Sequence, residues 1–440
     1  MVSMNTIFHR LRGKRILILG FGREGKSSLA FIKKFLPHAE VGIADKNESA
    51  FKDLTIKTTN PISPNNPKLY FGENYFDAIN DYDIVLKTPG ISLLGKNVDL
   101  SKITSQTDLF LEEFHNQIIG ITGTKGKSTT STLIYHLLKE SGKDAILAGN
   151  IGIPIFDIIE KINNKSIVVF ELSAHQLQFI HRSPHIGILL NVFEEHLDHF
   201  GTFEAYRNAK LNIIRKMGDN DWAVTNDEFC YEADEMMIHS LNYQYYDFDI
   251  NWDELPLKGE HNRLNVKAAL CAIHAFGITV DDVIPHLYTF KPLEHRQELV
   301  GTFGGVTFYN DSISTIPQAA IAAMQTIKNV TFLLLGGFDR EIDYTPLIEY
   351  LIKNPVEHIL YTGKAGARMF EMLKTAGYQG DIKNFKDLDE AFEILKSLSK
   401  SGDVCLLSPA AASYDQYRNF EERGCLFKML ASDFSPSFLK

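Results

Sequence analysis

An α/β protein built on parallel-rich sheets is predicted by two observations. One pattern recurs along the 440 residues: a short apolar run, a glycine-bearing loop, then an amphipathic stretch. It appears at RILILGFGREG (15–25), IIGITGTKGKS (118–128), TFLLLGGFDR (331–340) and HILYTGKAG (358–366). Apolar runs this short, bounded by glycine, suit strands buried on both faces of a parallel sheet, with helices covering those faces. The copies keep no fixed period, which sets a solenoid aside.

Taken in order, the first group of elements has strands at 15–20, 40–45 and 82–88. Gly20-Phe-Gly22-Arg-Glu-Gly25 follows the first strand and Asp45 ends the second, the arrangement of a dinucleotide fingerprint. Read alone this would suggest an NAD enzyme, but no hydride-transfer site accompanies it. TTNPISPNNPK (58–68) reads as a loop, and VDLSKITSQTDLFLEEF leads to a new strand at 118–122.

A glycine loop and a helix over 127–138 follow, with Leu133, Ile134, Leu137 and Leu138 on one face. The common phosphate-loop spacing would put a glycine at 121, where this chain has Ile121; its glycines fall at 120, 123 and 126. The context is still that of a phosphate loop. A helix N-terminus offers N–H groups and partial positive charge, and Gly123 and Gly126 let backbone approach an anion. Lys127 would bridge terminal phosphates and Ser128 would ligate Mg²⁺. In IVVFELS (167–173) a strand ends in Glu171, placed to hold the same metal. GILLNVF (187–193) is the next strand and runs into an acidic, histidine-rich turn, where His196 could ligate a second metal. GEHNRLNVKAALCAIHAFG (259–277) reads as a helix. The third group opens near KPLEHRQELV (291–300), with strands at 305–310, 330–335, 358–361 and 403–408.

Composition narrows the function classes. Apolar residues make up 44% and charged residues 23%, ordinary values for a soluble globular chain. The N-terminal apolar run is too short for a signal-peptide core and enters a glycine loop, so a cytoplasmic protein without membrane insertion is expected. Four scattered cysteines form no C-x-x-C pair, which suggests reduced thiols rather than a zinc site. The formal charge of −10 argues against nucleic-acid binding. It also requires that anionic substrates be drawn in by local lysine, arginine or metal.

The loop Gly120–Thr130 resembles the ATP loop of the Mur ligases and their folylpolyglutamate synthetase relatives. GNIG (149–152), ELSAHQL (171–177), HLDHFGTFEAYRNAK (196–210), GEHNRLN (259–265), EHR (294–296), YNDS (309–312) and LSPAAASYDQYRNFEERG (407–424) follow in family order. The last is most similar to the glutamate-adding branch. The resemblance implies three domains: an N-terminal Rossmann-like UDP-binding domain (1–106), a central P-loop ATPase domain (107–292) and a C-terminal Rossmann-like glutamate-binding domain (293–440). It implies a monomer that uses ATP and Mg²⁺ to join glutamate to UDP-N-acetylmuramoyl-L-alanine through an acyl phosphate.

The resemblance also implies site residues. Gly123, Thr124, Lys125, Gly126, Lys127, Ser128, Thr129, Asn265, Arg296 and Asp311 would bind ATP. Ser128, Glu171, His196 and Lys210, the last carbamylated, would hold metal, with Lys127, His196 and Lys210 catalytic. Gly22, Arg23, Asp45, Thr88, Gly90, Asn150 and Ser173 would face the UDP substrate. Thr315, Arg340, Ser413 and Phe420 would line the glutamate pocket. Ile313 stands where the D-glutamate-adding members carry a lysine, and Gly22–Gly25 also departs from them; both features resemble a branch that adds L-glutamate. D-glutamate is the favoured expectation and L-glutamate the alternative. A non-enzymatic nucleotide switch, the remaining rival, would need neither His196 and Lys210 nor an amino-acid pocket.

Overall fold

The structure is a computed structural model that describes residues 4–52, 54, 63–64, 66–149, 153–235, 237–291 and 294–436. Its described residues form three sheets. The first contains β1 (Ile16–Leu19), β2 (Val41–Asp45), β3 (Lys68–Phe71), β4 (Ile84–Lys87) and β5 (Ile103–Thr104), in the order β3-β2-β1-β4-β5. All its pairings are parallel. The second contains β6 (Ile118–Thr122), β7 (Ala145–Gly149), β8 (Ile167–Glu171), β9 (Ile186–Leu189), β10 (Trp222–Thr225) and β11 (His239–Asn242), in the order β11-β10-β9-β6-β8-β7. It too is parallel throughout. The third contains β12 (Glu298–Phe303), β13 (Val306–Asn310), β14 (Phe332–Gly336), β15 (His358–Thr362), β16 (Asp381–Asn384) and β17 (Val404–Leu407), in the order β12-β13-β17-β14-β15-β16. Only the β12–β13 pair is antiparallel there.

The expected α/β class is thus observed, for the expected reason. β1, β4, β6, β8, β9 and β14 are buried along their whole length, as strands covered on both faces must be. The chain divides into two compact units, Met1–Leu255 with Asn262–Phe290, and Pro256–His261 with Lys291–Lys440. The first unit holds the first two sheets. Between them the helix Arg23–Phe35 packs on the turn Ile155–Lys161, with Phe31 and Phe156 rings 4.3 Å apart and Ser27 Oγ donating to Asp157 at 2.6 Å. The second unit holds the third sheet. The expected boundary at 292/293 falls on residues outside the described set, and so do Asn150 and most of 58–68, whose last residue opens β3.

One strand is shorter than its sequence suggests. GILLNVF was expected to run as a strand over 187–193, but β9 stops at Leu189. Beyond Leu190 the chain turns its hydrogen bonds to the glycine loop: Thr124 N–H donates to the Asn191 carbonyl at 2.8 Å, and Lys125 N–H to Asn191 Oδ1 at 2.8 Å. Among the described residues no helix is long and apolar enough to cross a membrane.

Candidate active site

In open parallel sheets, ligands gather at the carboxyl ends of strands where the strand order reverses. β6 lies between β8 and β9, and the loop at its carboxyl end enters the helix Lys127–Glu140 through Gly126. Gly126 adopts φ 86°, and a Cβ there would stand 2.5 Å from Asn265 Oδ1. That close approach draws Asn265, from the helix Glu260–Ala275, onto the loop. The shifted glycine of the motif has a different explanation. Gly120 belongs to the strand itself, and a Cβ there would meet Pro184 at 2.6 Å, so its role is packing. Gly126→Ala is expected to weaken ATP binding about tenfold, since left-handed backbone costs about 1–2 kcal/mol outside glycine and Asn265 must also move. Isothermal titration checks this, and unchanged ATP affinity would mean the loop does not need that conformation.

Side chains complete the loop. Lys127 Nζ donates to the carbonyls of Gly123 at 2.8 Å and Thr124 at 3.1 Å. Lys210 Nζ, from the helix Phe203–Arg215, donates to the same Gly123 carbonyl at 2.7 Å. Two lysine nitrogens therefore share one oxygen, and Lys210 is only 1% exposed. Burial, then the Lys127 charge, push the Lys210 pKa well below its usual value. Thr124 Oγ1 pairs with the Tyr206 hydroxyl at 3.1 Å. The Thr129 hydroxyl is buried without a hydrogen-bond partner among the described residues.

Carboxylates and imidazoles face this cationic pair. Glu171 ends β8, is 1% exposed and accepts from Ser131 Oγ at 3.3 Å. Glu195 lies 3.6 Å from Lys125 Nζ and 3.8 Å from His196 Nε2. Burial opposes ionisation of Glu195, but Lys125, His196, Lys127 and Lys210 outweigh it and hold its pKa below the usual range. His196 takes φ 59° as it caps the short helix Leu197–Phe200. Lys127, His196 and Lys210 share the wall of one cavity of ≈ 400 Å³ with Gly90, Ser173, His175, Glu195 and Tyr206. Ser128 and Glu171 are not part of that wall. Sequence reasoning did not single out Asn191, Glu195, Tyr206 or His175. His175, Asn191 and Tyr206 sat inside quoted motifs that were read for other residues, and Glu195 lay in the acidic turn before His196; no pattern marked any of the four individually.

Gly90 and Ser173 link this cavity to the first sheet. Thr88 N–H and Oγ1 both meet the Leu19 carbonyl, at 2.9 and 3.1 Å, which ties the turn at Gly90 to the end of β1. Asp45 accepts from Phe21 N–H at 2.7 Å and Asn47 N–H at 2.9 Å, so its carboxylate shapes the Gly20–Gly25 loop. Gly22 caps the helix that begins at Arg23. Ser173 caps Ala174–Leu177 in a reciprocal box with Gln176, whose amide also reaches Glu24 Oε1 at 3.2 Å. Burial raises Glu24 to about 7 despite Gln176 and Lys87.

The second unit gathers the remaining candidates at the carboxyl ends of β13, β14 and β17. Asp311 is 1% exposed and accepts from Ser408 Oγ at 2.6 Å and Gln297 N–H at 3.1 Å. Burial raises it to about 6, while Ser314, Ser408 and the Arg296 charge pull the other way. Arg340 donates to the Thr315 carbonyl at 2.9 Å, and Phe338 N–H to the Ala412 carbonyl at 2.8 Å, beside Ser413. The Phe420 carbonyl accepts from Ser312 Oγ at 2.8 Å. Arg423, also missed in the sequence, clamps these loops by donating to Ser312 Oγ and to the Ser312 and Ala411 carbonyls.

A phosphate loop on a parallel sheet, with two lysines, a carboxylate and imidazoles converging on a cavity, defines a nucleotide-dependent α/β enzyme. The middle domain of the Mur ligases matches residues 121–251, and the Mur ligase glutamate ligase domain matches 295–411. The UDP-N-acetylmuramoylalanine–D-glutamate ligase of Symbiobacterium thermophilum is 35% identical over 83% of this chain and 88% of its own length. That of Clostridium acetobutylicum is 30% identical over 98% of this chain and 99% of its own. In fold, the chain is similar to the MurF ligase of Thermotoga maritima solved in complex with ADP, with TM-score 0.59 and 20% identity over 82% of this chain and 92% of that one. The chain belongs to the Mur ligase family and is an ATP-dependent ligase.

Proposed function

We propose that this chain joins D-glutamate to UDP-N-acetylmuramoyl-L-alanine, driven by ATP, in peptidoglycan precursor synthesis. The glutamate is named by relatives that align with nearly the whole chain. The observation that carries the chemistry is the cavity itself, where Lys127 of the phosphate loop meets Gly90 and Ser173 on the side of the first sheet. That is where a nucleotide-linked carboxylate can meet a phosphate donor. In the same reading the enzyme acts as a monomer in the cytoplasm, with domains 1–106, 107–292 and 293–440.

In this reading the loop backbone, Lys125, Lys127 and the Thr129 hydroxyl hold the ATP phosphates, with Asn265 against the loop. Arg296 and Asp311 are the further ATP contacts that the family resemblance implies. An alanyl carboxylate oxygen attacks the terminal phosphorus, and the bond to ADP breaks. The glutamate amine then attacks the acyl carbon, loses a proton and expels phosphate. Gly22, Arg23, Asp45, Thr88, Gly90, Asn150 and Ser173 hold the nucleotide substrate. Arg340, with Thr315, Ser413 and Phe420, receives glutamate, its planar fork suited to a side-chain carboxylate. The donor set of Ser128, Glu171, Glu195 and His196 is dominated by oxygen, and two carboxylates beside three lysines suit Mg²⁺. Ser128 and Glu171 would hold one ion and His196 with a carbamylated Lys210 a second. Bound Mg²⁺ supplies charge neutralisation at the transferring phosphoryl group.

The test is mass-spectrometric detection of product from ATP, Mg²⁺ and the nucleotide, with D- and L-glutamate in parallel. Product from D-glutamate alone is expected. Product from L-glutamate alone would overturn the stereochemistry and give Ile313 a specificity role. Product from neither would overturn the acceptor.

A further inference from the structure

His175 is the second residue of the turn that Ser173 caps, and it lines the same cavity as Lys127, His196 and Lys210. Its ring packs on three others, edge-to-face with His199 at 4.3 Å and His196 at 4.8 Å and tilted on Phe200 at 5.1 Å between centroids. Those contacts fix the plane of the imidazole. Among the described residues neither ring nitrogen makes a hydrogen bond. A phenylalanine would pack the same way. The imidazole adds at least one N–H donor, whichever protonation state it holds. A polar group immobilised at a cavity wall with no internal partner is suited to a ligand atom.

The other donors of the cavity divide by origin. Lys127 and Lys210 converge on the phosphate loop, at the phosphoryl side of the cavity. Ser173 and His175 come from the turn after β8, which Gln176 ties to the first sheet through Glu24. A donor on that turn belongs to the nucleotide-linked carboxyl group and not to ATP.

We propose that His175 is a catalytic residue that donates its ring N–H to the carbonyl oxygen of the acyl phosphate. This rests on the function proposed above. When the glutamate amine attacks, the carbonyl π pair moves to that oxygen. When the tetrahedral species collapses, the pair returns and the C–O bond to phosphate breaks. A preorganised donor counts most while the oxygen bears charge, so His175 acts on amide formation more than on phosphoryl transfer.

The experiment compares wild type, His175→Phe and His175→Gln. Phenylalanine keeps the ring packing; glutamine keeps a donor. Two rates are read for each: product formation with glutamate, and positional isotope exchange in ¹⁸O-labelled ATP with UDP-N-acetylmuramoyl-L-alanine and no glutamate, which reports the first step alone. For His175→Phe, kcat is expected to fall about 10²-fold, with KM for the nucleotide and the isotope exchange close to wild type. His175→Gln is expected to recover about tenfold of that loss. A normal kcat in His175→Phe would overturn the inference and leave the ring a packing element. Equal loss of both rates, or no recovery in His175→Gln, would overturn it too. Wild type that exchanges label but forms no product with either glutamate would overturn the acceptor instead, and the inference with it.

Discussion

Lys127→Ala is expected to abolish phosphoryl transfer, with kcat falling about 10³-fold or more while the protein stays folded. The argument is electrostatic. The chain carries a formal charge of −10, yet it must bring ATP and a carboxylate together. Lys127 stands at the start of the helix that follows the glycine loop, and its ammonium folds back on the Gly123 and Thr124 carbonyls. It is thereby parked beside the place where phosphate oxygens would lie, within reach of them by a change of rotamer. Alanine keeps the helix and removes the only loop cation that also lines the cavity among the described residues. ADP release measured with the nucleotide substrate and glutamate checks this. Turnover within threefold of wild type would remove Lys127 from the reaction. Lys127→Arg is a sharper control: a planar fork does not replace a compact ammonium, so poor recovery is expected.

The strands legible in the sequence were those buried on both faces. RILIL, IIGIT, IVVFE and TFLLLG announce themselves because nothing polar interrupts them, and each becomes a central strand. Most of the missed strands lie at the edges, where one side meets solvent and the apolar pattern fails; β10 was missed too, although it lies inside its sheet and is largely buried. KLYF at β3, HSLN at β11 and DIKN at β16 are edge strands. β12 was hidden otherwise: it pairs antiparallel through the Gly304–Gly305 hairpin, so the next element is a strand and not a helix. At the site, residues tied to a strand end could be named from the sequence, since the strand fixes where its last side chain goes. Asn191 and Tyr206 could not, because what they do depends on a loop 66 and 82 residues away. The three groupings of elements become three sheets, of which the first two are joined in one compact unit. That joining rests on contacts such as Phe31–Phe156, which no local pattern encodes.

Lys210→Ala is expected to lose activity about 10²–10³-fold and to regain part of it when a short carboxylate such as acetate or propionate is added. A lysine buried to 1% exposure beside another lysine is an unstable arrangement for two full charges. Burial first, and Lys127 second, favour the neutral amine at Lys210. A neutral amine is the form that adds to carbon dioxide, forming an N–C bond and releasing a proton. A carbamate formed there would reverse the charge at this point, turn repulsion from Lys127 into attraction and offer oxygens to a metal ion. Removing the side chain leaves both the missing anion and the space it occupied, so a free carboxylate can enter and supply the charge. Lys210→Phe is the decisive companion, because a ring fills that space and should block rescue. Activity in Lys210→Ala that is full without any acid would remove Lys210 from the site. Rescue of the phenylalanine variant as well would mean that added acid acts elsewhere, and the carbamate assignment would fall.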